Sequence, residues 1–242
     1  MIIGLLIFFT VIYHQINDNL PKFIDMFNSH LAIGCDDRVL FDPNDFLWTC
    51  NFRNRWTEIR TEYMNYSWNR YIPLYSQISP DVSYCDRSKG WNAVYLRAFN
   101  VDTDIAKHFP LTMNLIEQLP CTTAFFSILK PHTKLDPHIG VYKGVIRYHL
   151  GLIIPDDSDN CFLQINDRKI SWVEGEDIMF DDMYLHHVEN NTDQTRVILF
   201  LDVQRKFEDL FTNTLNSLFI RFAQTNDTLI NTVNNVNYYN RD

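Results

Sequence analysis

Two apolar runs constrain this chain more than any other feature: Arg147-Tyr-His-Leu-Gly-Leu-Ile-Ile154 and Thr195-Arg-Val-Ile-Leu-Phe-Leu-Asp-Val203. Runs this apolar and this short fit strands covered on both faces. Side chains alternate along a strand, so Arg147, His149, Gly151 and Ile153 share one face, and Tyr148, Leu150, Leu152 and Ile154 the other. An arginine and a histidine on a covered face need an anion or a partner to offset lost hydration. A ligand carboxylate would serve.

The second run is preceded by Asp177-Ile-Met-Phe-Asp-Asp182, by Met-Tyr-Leu-His-His-Val188 and by the polar cluster Glu189-Asn-Asn-Thr-Asp-Gln194. Strand, polar cluster, strand is a hairpin signature. A hairpin symmetric about Asn191 would set His186 and Arg196 opposite each other on one face, with Cβ atoms about 5 Å apart.

Ser127, His138, Arg147, His149, His186 and Arg196 each lie beside a strand-like run. Two histidines and two arginines converging inside a small β-barrel suit one metal cation and one dianionic cosubstrate. Singly, each has a plainer reading, since one histidine among eight is ordinarily exposed or satisfied and one arginine is ordinarily a surface cation. Their joint order weighs against that.

The run Phe126-Ser-Ile-Leu-Lys-Pro-His-Thr-Lys-Leu-Asp-Pro-His-Ile-Gly140, then Arg147 to Pro155, then Trp172-Val-Glu-Gly-Glu-Asp-Ile-Met-Phe-Asp-Asp182, His186 and Arg196 resembles the aspartyl/asparaginyl β-hydroxylase family. Motif order and spacing are kept from Trp91 to Val203. The resemblance implies a mainly β fold with flanking helices, a double-stranded β-helix or cupin-like jelly roll. It implies an iron(II) dioxygenase that consumes O2 and 2-oxoglutarate, with ascorbate as a reductant. His138 and His186 match the metal-binding histidines and Arg196 the cosubstrate arginine, and together these three are the implied catalytic set. Ser127 and Arg196 match the pair that holds the far carboxylate, and Arg147 and His149 match the Arg-x-His at the cosubstrate's other end.

Two positions depart from common patterns. Non-haem iron oxygenases usually carry a carboxylate two residues after the first histidine. Here that residue is Gly140, as in this family, which uses water there. Asp136 could supply a carboxylate instead, but Pro137 favours a loop-fixing or solvent-facing role. His132 stands where the family usually has glycine, and is expected at the surface. His187 should point away from His186, and Asp181 and Asp182 should act as turn hydrogen-bonders.

At 242 residues, 46% hydrophobic and 14% aromatic, the chain can bury one sizeable core. The expected divisions are an apolar N-terminal segment over 1–16, a helical or irregular extension packing on the barrel over 17–90, the catalytic barrel over 91–207, and a C-terminal helix with a frayed Asn-rich tail over 208–242. Within the extension, Trp56, Ile59 and Tyr63 form a helical stripe. Residues 91–99 read as a strand and 110–120 as a helix. A net charge of -9 with no basic run argues against nucleic acid.

Five cysteines, Cys35, Cys50, Cys85, Cys121 and Cys161, lack metal-binding spacing. Sequons begin at Asn65, Asn190 and Asn226 and matter only on the secretory path. Residues 1–13 form an uncharged apolar run, about 20 Å long as a helix and short of a bilayer span. They suit a signal-anchor or a buried or interfacial helix equally, leaving the chain membrane-associated or cytoplasmic. The substrate reads first as a protein or peptide carrying aspartate or asparagine, and second as a lipid acyl chain. A peptide would want cations at the pocket mouth, with Arg97 or Lys143 available; an acyl chain would want an apolar one. A catalytically inactive scaffold is a third reading.

Overall fold

The computed structural model describes residues 20–35, 38–66, 72–79, 86, 89–223 and 227–239. The apolar run 1–13, Cys85 and the sequon asparagine Asn226 lie outside them.

Eight strands in chain order form the barrel: β4 (Cys121–Leu129), β5 (Thr133–His138), β6 (Val145–Ile153), β7 (Cys161–Ile165), β8 (Arg168–Ser171), β9 (Asp177–Phe180), β10 (His186–Asn190) and β11 (Arg196–Gln204). Three more strands, β1 (Leu40–Phe41), β2 (Trp91–Ala98) and β3 (Val101–Asp102), extend the larger sheet at its edges. That sheet runs β1-β9-β6-β11-β4-β2-β3 and the smaller one β5-β10-β7-β8. Named strand pairings are antiparallel throughout, and successive barrel strands alternate between the sheets except at the β7–β8 hairpin, which closes the smaller sheet; this is the double-stranded β-helix.

The expected hairpin of His186 and Arg196 is not formed. β10 pairs with β5 and β7, whereas β11 pairs with β4 and β6 in the other sheet. The polar cluster between them is a sheet crossing. Its corner is pinned by Asn190, whose side-chain amide donates to the carbonyls of Leu129, Lys130 and Gln194 at 2.8–3.2 Å. Asn190 is fully buried and so is closed to a glycan, whereas Asn65 is exposed.

The large sheet is covered on both faces, which is why β6 and β11 read as largely apolar runs. Its outer face carries Val94, Phe126, Tyr148, Leu150, Leu199 and Leu201 against helices. Those helices are α2 (Thr49–Asn54), α3 (Trp56–Asn65) and α5 (Pro110–Glu117). In α3 the stripe is as expected, with Ile59 and Tyr63 buried and Trp56 packed against the core. The Glu62 carboxylate caps α5, accepting from the backbone N–H groups of Leu111 and Thr112 at 2.7 and 2.9 Å. Inside the barrel lie Trp91, Tyr95, Phe125, Leu163, Trp172, Phe180, Ile198 and Phe200.

Three longer helices are also found among the described residues: α1 (Leu20–Ile33), α6 (Leu210–Ala223) and α7 (Asp227–Tyr239). The tail expected to fray is helical over α7. Val236 is fully buried there and Val233 packs beside it on the barrel-interior core. A short helix, α4 (Tyr75–Ile78), lies between α7 and β2.

Candidate active site

His138 ends β5 and His186 opens β10, and the two are direct cross-strand partners with ring centroids 4.2 Å apart. The Nδ1 of His138 lies 2.8 Å from the carbonyl oxygen of Asp136, and that of His186 lies 2.8 Å from the carbonyl of Tyr184. A carbonyl can only accept, so each Nδ1 carries the proton and each Nε2 keeps its lone pair. This is the tautomer a metal-binding imidazole requires. Burial, with His138 second, pushes the His186 pKa down to about 3, and burial also lowers that of His138. Both rings are neutral at pH 7 and can hold a divalent cation.

No third protein donor joins them: among the described residues no three His, Cys, Asp or Glu side chains cluster for a metal. Asp136 contributes its carbonyl to the His138 ring. A Cβ at Gly140 would overlap the Asp182 carboxylate, and the Gly140 N–H donates to the Asp182 carbonyl at 2.6 Å. The space a carboxylate at position 140 would need is already filled.

Across the barrel, on β4 and β11, Arg196 is buried and donates through one terminal nitrogen to Ser127 Oγ at 2.9 Å. Trp91 Nε1 donates to the same oxygen at 3.0 Å. Ser127 thus accepts twice and retains its own hydroxyl proton to give. The Arg196 guanidinium lies 4.7 Å above the Trp172 ring and has no acidic partner among the described residues, and its Nε is unbonded. Burial pushes its pKa down to about 10. A buried guanidinium without a counter-ion is costly, and a carboxylate would relieve that cost.

His149 occupies the space between. Both its ring nitrogens are buried without a partner, and burial, then Arg196, hold it well below its ordinary pKa. The Trp172 indole N–H, whose ring centroid is 6.1 Å from His149, is also unsatisfied. Four buried donor or acceptor atoms on Arg196, His149 and Trp172 therefore await partners around one locus, which fits a polar, carboxylate-bearing ligand. The sequence reading did not assign Trp91 or Trp172 a site role; a tryptophan beside a strand motif ordinarily signals only core.

Arg147 differs from expectation. It faces the interior as the alternation requires, 4.5 Å over the Phe200 ring, but is already neutralised by Asp182 at 2.8 Å and Asp202 at 3.0 Å. Burial opposes its charge, yet those two carboxylates outweigh it and raise its pKa. Asp181 does serve its turn, accepting from the Met183 N–H at 3.0 Å. It also receives Lys143 at 2.9 Å and Arg205 at 2.6 Å. Lys143 is consequently spent on a buried ion pair, and Arg97 pairs with Asp102 at the β2–β3 edge. Neither offers a cation at the mouth. His132 is exposed, 2.8 Å from Asp193, with φ of 55°, a left-handed conformation that favours the glycine usual there. His187 faces away from the site as expected, toward Glu189 and Phe162.

A profile of the aspartyl/asparaginyl β-hydroxylase family matches residues 53–206. An ornithine lipid ester-linked acyl 2-hydroxylase of Rhizobium tropici is 34% identical over 67% of this chain. The human aspartyl/asparaginyl β-hydroxylase is 34% identical over 40% of it. The chain spans 59% of the length of the first relative and 13% of the second. With a double-stranded β-helix, a paired set of neutral histidines and a profile match running through both, the chain belongs to the aspartyl/asparaginyl β-hydroxylase family.

Proposed function

We propose that the protein is an iron(II)- and 2-oxoglutarate-dependent dioxygenase that hydroxylates an unactivated carbon. One C–H bond would become C–OH with one oxygen atom of O2, the other entering the succinate formed as 2-oxoglutarate loses carbon dioxide. The observation that carries this reading is Arg196, a buried cation with no acidic partner among the described residues, in the same barrel interior as two neutral histidines.

His138 and His186 would hold the metal through Nε2, the carbonyls of Asp136 and Tyr184 fixing each ring's tautomer. Iron(II), when bound, supplies the activation of O2 that no side chain can perform. Arg196 and the free Ser127 proton would bind the far carboxylate of 2-oxoglutarate, with Trp91 orienting Ser127. His149 would meet the other end, and Arg147, locked by two aspartates, would hold the β6 wall in register. The aromatic lining of Phe125, Phe180 and Phe200 keeps the interior dry.

For the substrate, a lipid acyl chain replaces a peptide as the first reading. Arg97 and Lys143, the cations a peptide acid would use, are engaged elsewhere, and apolar Ile139, Val141 and Leu185 are exposed beside His138 and His186. The acyl hydroxylase relative also matches over more of the chain than the protein hydroxylase does. The β-carbon of protein aspartate or asparagine is the second reading, favoured by the name of the family whose profile matches.

The test is succinate formation from 2-oxoglutarate by purified protein with iron(II) and ascorbate, comparing wild type with His186→Ala before any substrate is added. Turnover lost in the variant supports the reading. Absence of turnover, together with absence of a thermal shift on adding iron(II) and 2-oxoglutarate, refutes it in favour of an inactive scaffold.

A further inference from the structure

The loop after His138 is clamped by a helix pair that plays no part in the barrel. Asn28 of α1 donates to the Val141 carbonyl at 2.9 Å and accepts from the Lys143 N–H at 2.9 Å. From α6, Asn216 accepts from the Tyr142 hydroxyl at 2.6 Å and donates to the Gly144 carbonyl at 2.9 Å. The two helices run antiparallel, with Phe27 against Phe219 (ring centroids 4.4 Å) and His30 against Phe211 and Thr212.

All three segments present apolar side chains to the outside. Phe211 and Leu218 of α6, Met26 and Ile33 of α1, and Ile139, Val141 and Leu185 beside the histidines are each more than half exposed. On α6 the half-buried Leu215 and Phe222 continue the Phe211–Leu218 stripe at i, i+4, i+7 and i+11, one helical face. A face of this kind needs something to cover it.

We infer that this face docks on a lipid bilayer and holds the histidine loop at the membrane surface. Three observations name the occupant. The uncharged apolar run of residues 1–13 precedes α1 in the chain, and its composition suits a lipid surface. Stable attachment to a bilayer ordinarily takes two signals, and the α6 stripe would be one beside that run. The antiparallel pairing also puts exposed Lys22 of α1 and exposed Arg221 of α6 at that same end, where they suit lipid phosphates. Docking this way would bring acyl chains to Ile139, Val141 and Leu185. As the route of the substrate it rests on the acyl reading above, but as a docking surface it stands without it.

The experiment is flotation of the full chain with vesicles of phosphatidylcholine containing a minority of phosphatidylglycerol. Wild type should float, and the double variant Phe211→Glu, Leu218→Glu should partition about tenfold less. Leu47→Glu, at an exposed apolar site outside these segments, should partition as wild type does. Phe211→Trp, a change that leaves the face apolar, should be quenched by brominated acyl chains. The inference is overturned by a wild type that does not float, by flotation the double variant leaves intact, or by an unquenched Phe211→Trp. A wild-type dimer in light scattering that the double variant dissolves would overturn it too, assigning the face to a second copy. His186→Ala should float normally, so failure of the oxidative chemistry and failure of docking are read separately.

Discussion

The site's chemistry turns on which side chains are satisfied. Arg196 has Ser127 but no acid among the described residues, so Arg196→Ala should leave metal affinity intact and raise the 2-oxoglutarate requirement about a hundredfold, the worth of a charge-assisted carboxylate pair. Titration calorimetry with each ligand in turn would measure both. The histidines set a second outcome. His149, His186 and His138 are all held below the ordinary histidine pKa, chiefly by burial, so the native metal-free protein refuses protons the unfolded chain accepts below about pH 6.5. Stability should therefore fall as pH is lowered from about 7 toward 5. Asp182 acts with the opposite sign, since burial pushes its carboxyl up to about 6 and the native state takes up that proton first. Three groups outweigh one. His149→Phe should flatten the slope by up to about 1.4 kcal/mol per pH unit, seen in denaturant melts across that range.

Elements decide how residues meet. Gly140 follows β5 with the Asp182 carboxylate where its Cβ would go. Gly140→Asp, which on paper restores a three-ligand carboxylate pattern, should instead displace Asp182 from Arg147 and lower stability by about 2–4 kcal/mol without tightening metal binding. Thermal melts and metal titration of that variant check both halves. Strand β6 was legible in advance because a two-residue period leaves no freedom in facing: Arg147 and His149 had to point inward. The pairing of β10 was not legible. A polar connector reads alike whether the chain returns beside itself or crosses to the opposite sheet, and what distinguishes the two is Asn190 reaching carbonyls about sixty residues away. In α7 the signal was present but masked, since asparagine richness suggested fraying while Val233 and Val236 kept a helical spacing.

At the scale of the molecule, the two halves of the candidate site stand on different sheets. His138 and His186 belong to the four-stranded sheet, and Ser127, Arg147, His149 and Arg196 to the seven-stranded one. Motif order pointed to these residues as candidates but not to this division, because a resemblance along the chain carries no strand order. Iron(II) and 2-oxoglutarate together should raise the melting temperature by about 10–20 °C when each is near a hundredfold over its dissociation constant, and by more than either alone. Anaerobic scanning calorimetry would show it. Arg196→Ala should keep the metal's share of the shift and lose the rest.

The crossing at Asn190 carries a mechanical consequence. With the ligand-bearing strands in opposing leaves of a sandwich, the gap between histidines and arginine is set by how tightly the leaves close, and a molecule spanning that gap acts as a rivet. Without a ligand the leaves are joined at this edge by the corner Asn190 pins; with one bound across the gap they would be joined there as well. Amide exchange along β5 and β10 should then slow on loading even where no residue touches the ligand.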